Sequence, residues 1–192
     1  MKSQWKKGVF AGLMWIVATL AFAQDHPTAN TPSSTALMRQ LDKMKGVWIG
    51  EAKGIGADGK PYVIRQTERV GAMLDGDVLV IEGRGYASDG KLNFNAFGII
   101  SANSKEGNFE FRAYNRGRSG TYKMRLVDGG VVWELPLGPN ALVRYTITLT
   151  DDTWHEIGEY IAAGQEPRRT IDIQLKRTRD TDWPAAQAVL PE

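Results

Sequence analysis

The chain has 192 residues, 42% hydrophobic and 24% charged, which suits one globular domain and is short for two. It contains no cysteine, so disulfide staples, thiol catalysis and cysteine-ligated metals are excluded. Lys and Arg number 24 against 22 acidic residues with the signs interspersed, which excludes the sustained basic face that nucleic acid requires.

The first 23 residues read as a secretory signal peptide. Lys2, Lys6 and Lys7 form a positive start, Gly8 to Phe22 carries no charge, and Ala21-Phe22-Ala23 fits a small-residue cleavage site, with the cut after Ala23. The apolar run is about 15 residues, short of the ~20 that span a bilayer. The expected address is therefore periplasmic or secreted, with no stable membrane insertion after cleavage. Without the three leader lysines the 24 basic residues fall to 21 against 22 acidic ones, so the mature domain is close to neutral.

Residues 24–34 hold Pro27, Pro32, Asn30 and several Ser and Thr without periodicity, the composition of a flexible tether. From Thr35 to Lys45 the apolar residues Leu37, Met38, Leu41 and Met44 fall on one stripe of a helix. Ser33 or Ser34 suits its start and Gly46 its C-terminal cap. So short a helix needs a packing partner, and the open end of a barrel is the expected one.

Gly46-Val47-Trp48-Ile49-Gly50-Glu51 then opens a series of ten strand-like segments. Turn signals such as Asp75-Gly76, Asp89-Gly90, Asn115-Arg116-Gly117 and Asp128-Gly129-Gly130 separate them. No connection is long enough for a crossover helix, so consecutive strands must be antiparallel. A meander of that length is expected to curl shut and remove its edges. The expected organisation is an all-β, about ten-stranded antiparallel up-and-down barrel over residues 35–179, with a short N-terminal capping helix. Residues 180–192 form a tail that either docks or stays disordered. Trp48 is expected to plug the barrel where the helix meets it, and Gly50 to let that helix approach closely.

Helix, then Gly-x-Trp, then an antiparallel meander resembles the calycin superfamily, which includes lipocalins, fatty-acid-binding proteins and nitrobindin-like barrels. The sequence is most similar to DUF1579, a lipocalin-like bacterial family without an assigned activity. The residues that carry the resemblance are Met44 to Glu51, Arg65-Gln66-Thr67-Glu68-Arg69, Ile81 to Gly85, Phe111 to Tyr114, Val143 to Thr146 and Trp154 to Glu159. What the resemblance implies is a barrel with an internal cavity, and no reaction.

The chemistry-bearing candidates are carboxylates inside strands. Glu68 shares a phase with Tyr62, Ile64, Gln66 and Val70, and Glu156 with Trp154 and Tyr160; Glu82 lies in the third strand. Facing inward, such acids must be paired, hydrogen-bonded or protonated. Facing outward, they form cross-strand ion pairs. Arg65, Arg112 and Arg144 are candidate partners, although each sits on the opposite phase from its strand's apolar face. Trp48, Tyr62, Gln66, Glu68, Glu82, Arg112, Tyr114, Arg144, Trp154 and Glu156 are the expected ligand-binding residues. No catalytic residue, metal site or cofactor is assigned.

Several weaker signals complete the reading. Asn115 to Gly120 is a basic, glycine-rich turn that serves either as a rim hairpin or as an anion site. Gly54-Ile55-Gly56-x-x-Gly59 mimics a dinucleotide fingerprint but leads into a strand, which removes the helix N-terminus that the fingerprint needs. The nitrobindin-like barrels bind haem through a histidine, and here His155 alone would serve. The readings that stay open are a small-molecule binding barrel with a partly apolar ligand, an enzyme using the same carboxylates, a haem barrel, and a structural envelope protein. The oligomeric state is not encoded in any feature of the chain.

Overall fold

A computed structural model describes residues 33–56 and 58–184. The expected signal peptide and nearly all of the tether lie outside the described residues, as do the last eight positions of the tail.

The ten expected strands are present as β1 Gly46–Ile55, β2 Pro61–Met73, β3 Val78–Tyr86, β4 Leu92–Asn103, β5 Asn108–Asn115, β6 Arg118–Val127, β7 Gly130–Pro136, β8 Ala141–Leu149, β9 Thr153–Ala162 and β10 Arg168–Arg179. Each pairs antiparallel with its sequence neighbours, and β1 also pairs with β10, which closes the ring. The short turns dictate that meander. At the β5–β6 turn Arg116 and Gly117 both take positive φ, 49° and 75°, the geometry that a two-residue hairpin between twisted strands demands.

The N-terminal element is helical but not uniformly so. It is an α-helix over Ser34–Met38 (α1) that tightens into a 3-10 segment over Arg39–Met44. Ser33 caps it, its hydroxyl accepting from the Ala36 amide at 3.2 Å. The tighter winding keeps Leu37, Met38, Leu41 and Met44 all facing the barrel, each at most 3% exposed. Gly46 takes the expected positive φ, 128°, but as the first residue of β1, because Lys45 ends the helical segment.

Trp48 occupies the floor where this element covers the barrel. Its ring is fully buried, its indole N–H donates to the Met44 carbonyl at 2.9 Å, and it meets the Trp154 ring edge-on with centroids 5.8 Å apart. The role expected for Gly50 changes. A side chain there would collide with the backbone of β10 at Gln174 and Leu175, so Gly50 permits the β1–β10 closure rather than the approach of the helix. The tail docks as far as it is described. Trp183 lies against Gly71 of β2, and the Arg69 guanidinium sits 4.1 Å above the Trp183 ring.

Trp48→Ala is expected to lower the unfolding free energy by about 3–5 kcal/mol in a urea titration, the usual cost of deleting a buried aromatic. Gly50→Ala is expected to destabilise strongly even though it adds a single methyl, because the obstructing atoms are backbone. A Gly50→Ala protein as stable as the parent would contradict the assigned role.

Candidate functional site

The alternation of β2 and β9 turns both mixed faces inward. On β2, Val70, Glu68, Gln66, Ile64 and Tyr62 point into the barrel; on β9, Trp154, Glu156, Gly158 and Tyr160 do so. The register shifts of these ladders lie elsewhere, between Val47 and Trp48, Gly85 and Tyr86, and Arg169 and Ile171, so no bulge rescues either acid to the surface. Space for Glu68 comes from its cross-strand partner Gly83, where a Cβ would lie 2.6 Å from the carboxyl oxygen Oε1.

Glu68 is 8% exposed and Gln66 2%. The Gln66 amide donates to Glu68 Oε1 at 2.6 Å, and the Trp154 indole N–H donates to Glu156 Oε2 at 3.2 Å. Burial pushes the Glu68 carboxyl up to about 8; the Gln66 hydrogen bond opposes this, and the charges of Glu156 and Glu82 add to it. Burial likewise lifts Glu156 to about 7 against the pull of the Trp154 N–H. The neighbouring Tyr145 hydroxyl is raised to about 12, by burial first and then by the Glu156 charge. Near neutral pH the interior thus holds two acids that retain protons.

The barrel is packed at one end and open at the other. Toward the helix, the inward residues Val70, Leu79, Ile100, Phe109, Met124 and Val131 are at most 1% exposed. Further along the same strands, Tyr62, Ile64, Phe94, Tyr122, Trp133, Tyr145, Tyr160 and Ile171 are only half-buried although they face inward. Glu156 too is only half-buried. Inward side chains that keep accessible surface border space that solvent enters from the open end.

Polar atoms tell the same story. Among the described residues, no hydrogen bond engages Glu68 Oε2, Glu156 Oε1, the Tyr145 hydroxyl or the Trp133 indole N–H. Among the described residues no fully buried side-chain nitrogen or oxygen lacks a partner, so each of these four keeps contact with water-accessible space. Trp133 stacks on Tyr145 with centroids 4.3 Å apart and planes 11° from parallel; Phe111 and Tyr122 flank it at 5.0 and 5.4 Å. Trp133 and Tyr145 belong to this wall as much as the expected Tyr62 does. Their phase with Val131 and Ile147 was the available signal.

The remaining expected residues stand outside the barrel. Glu82 accepts from Arg69 at 2.6 Å and from Arg84 at 2.7 Å on the outer face of β2 and β3, where its carboxyl is held below the usual range. Burial opposes that lowering, and the two arginines outweigh it. Arg112 pairs with Glu110 at 3.3 Å and Arg144 with Glu134 at 2.8 Å, both on the outer face, and Tyr114 lies exposed against Phe97. Arg65 also faces out. No arginine among them reaches the interior acids, because alternation is strict along β5 and β8.

The outer face of β9, β10, β1 and β2 carries a groove of about 520 Å³ lined by Glu51, Lys53, Arg65, His155, Asp172 and Gln174. Its charges largely satisfy one another. His155 Nε2 lies 3.1 Å from Asp172, which also takes Arg169 and Gln174, and Lys53 lies 3.6 Å from Glu51. Haem held by His155 does not fit the barrel interior, since that ring is bonded to Asp172 on the outer face. Among the described residues no group of three or more His, Asp or Glu is arranged to hold a metal ion. At the rim, Arg116 donates to the Asn93 carbonyl at 2.6 Å, so that guanidinium braces the hairpin to β4.

No family model and no curated protein sequence matches the chain. Among solved structures, the fold is similar to the crystal structure of Rv2717c from M. tuberculosis, with 15% sequence identity and a TM-score of 0.58 over 74% of this chain and 98% of that one. The likeness establishes a shared barrel fold.

The interior acids impose a pH dependence on stability. A carboxyl whose folded pKa lies above its unfolded value binds more protons in the native state, so its contribution is full below the unfolded pKa and is lost as pH rises through the folded one. Stability is expected to fall between pH 4.5 and about 8 for Glu68, and between 4.5 and about 7 for Glu156. Glu68→Gln is expected to raise the thermal midpoint at pH 8 and to leave it nearly unchanged at pH 4. Scanning calorimetry across that range checks both signs.

Proposed function

We propose that the protein is an exported barrel of the DUF1579-like group that binds a small, partly apolar ligand in the open half of its interior. The observation that carries this reading is the set of unpartnered polar atoms on an aromatic wall: Glu68 Oε2, Glu156 Oε1, the Tyr145 hydroxyl and the Trp133 N–H. Ligand sites combine an apolar lining with a few convergent polar groups, and both are present here. A ring of eight strands is just filled by its own side chains, whereas ten strands enclose more room than that.

The interior is favoured over the outer groove because the groove's acids already have partners. Tyr62 and Tyr160 stand toward the mouth, Glu68, Gln66 and Glu156 toward the middle, and Trp48 with Trp154 forms the floor. Export rests on the leader, residues 1–23, and kinship with DUF1579 on the motifs quoted from the sequence. The ligand's identity follows from mass spectrometry of the protein purified under native conditions from the compartment into which it is exported.

Nile red, a neutral dye that brightens in apolar surroundings, tests the cavity itself. The expected result is saturable binding with blue-shifted emission. Ala96, which faces inward beside Gly83, offers a way to fill the space. Ala96→Phe is expected to weaken dye binding at least tenfold at an unchanged thermal midpoint. Absence of dye binding, or binding indifferent to Ala96→Phe, would overturn the reading.

A further inference from the structure

We propose that the ligand is an organic cation, a protonated amine carried on a flat aromatic body, held with its nitrogen between Glu68 and Glu156 and its ring against the Trp133–Tyr145 stack. The inference rests on the cavity reading above and names the class of molecule that the cavity takes.

Three observations converge. The first is the sign of the interior. Between mouth and floor, the inward positions of the ten strands carry two carboxyls, one carboxamide, tyrosine, tryptophan and phenylalanine rings and aliphatic residues, and no Lys, Arg or His among the described residues. The inward-phase arginines lie at the two ends. Arg118 and Arg168 are exposed at the mouth, and Arg177 is tied at the floor to the Lys45 carbonyl at 2.9 Å and to Asp180 at 2.7 Å. A carboxylate or phosphate ligand carried to the middle of the barrel would meet two acids and no counter-charge. An ammonium group would meet two acceptors.

The second is the unused acceptor. Glu68 is more than nine-tenths buried, its Oε1 is occupied by Gln66, and its Oε2 is open. Glu156 likewise has one oxygen bound by Trp154 and one open. The two acids are linked across the floor: Trp154, which donates to Glu156, packs with its ring 5.8 Å from that of Trp48, the cross-strand partner of Glu68.

The third is the aromatic wall. Indole and phenol rings present electron-rich faces, and a cation over such a face is attracted by the ring quadrupole. The barrel already places one cation in this way at its mouth, where the Arg168 guanidinium lies 5.7 Å from the centre of the Tyr160 ring. The Trp133–Tyr145 pair is next to Glu156: across the β8–β9 ladder Tyr145 faces Gly158 and Ile147 faces Glu156, which makes Tyr145 and Glu156 diagonal neighbours on the inward face.

Binding a cation also resolves the burial of the acids. Without ligand, they retain protons near neutrality; an ammonium partner favours their ionised forms, so binding at pH 7 releases protons to the buffer. The groups facing the pair are Gln66 and the Gly83 backbone beside Glu68, and Trp154 and Tyr145 beside Glu156, with Glu82 acting through the sheet from the outer face. None of these supplies a positive charge, so the ligand alone would do so.

Three molecules with one ring system and different heads separate the possibilities: tryptamine, tryptophol and indole-3-propionate, titrated calorimetrically into the full mature chain. Tryptamine is expected to bind at least tenfold more tightly than either of the others at pH 8. Its apparent heat is expected to vary with the ionisation enthalpy of the buffer, and its affinity to fall at least tenfold between pH 8 and pH 5. Glu68→Gln and Glu156→Gln are each expected to remove most of the amine preference, and a cooperative thermal transition followed by far-ultraviolet circular dichroism shows that each variant folds. If tryptophol or indole-3-propionate binds as well as tryptamine, or if Nile red binds and none of the three does, the cation is overturned while the cavity stands. If Nile red also fails, the cavity reading itself falls.

Discussion

Closure of β1 onto β10 is the constraint on which everything else depends. It is made possible at Gly50, where any side chain would strike the facing backbone, and it is sealed from below by Trp48. Closure removes the sheet edges and forces a choice on each strand: every second residue goes inside whatever its polarity. Glu68 and Glu156 are inside for this reason. Moving either to the surface would need a one-residue slip that exposes Val70 or Trp154 as well.

The second consequence is asymmetry along the barrel axis. The floor is filled by the stripe Leu37, Met38, Leu41 and Met44 together with Trp48, Trp154, Phe109 and Met124. In the other half Gly83, Gly85 and Gly98 make room for the side chains of Glu68, Ile64 and Phe111, and aromatic residues keep water-accessible surface. Apolar packing and buried acids are thereby divided between the two ends. The floor supplies apolar burial, while the open half carries desolvated acids that reduce stability at neutral pH. Local cost of that kind is what a site built for an incoming partner tolerates.

The strand count, the antiparallel order and the packing of the capping element were legible in the sequence because turn chemistry and two-residue alternation are local properties. The inward phase of Glu68 and Glu156 was visible as parity, but parity does not say which face is interior when acids and apolar residues mix; ring closure decides that. Arg112 pairs along its own strand with Glu110, whereas Glu82, Tyr114 and Arg144 sit in strands as central as those of the interior acids, yet their partners Arg69, Phe97 and Glu134 lie on neighbouring strands of the outer face. Those pairings depend on register across the sheet, which no single strand records. The role of Gly50 was hidden for the same reason, since its obstacle is β10, more than a hundred residues away in the chain.

The central claim is that two carboxylic acids are held inside a water-accessible, aromatic-walled barrel. The most direct measurement is a carbon-detected NMR titration of protein labelled at the glutamate side-chain carboxyl carbons, with Glu68→Gln and Glu156→Gln identifying the two resonances. Midpoints near 8 for Glu68 and near 7 for Glu156 are predicted, with mutual perturbation when either is removed. Both resonances titrating near 4.5, independently of each other, would place the two acids in bulk water and contradict the interior site.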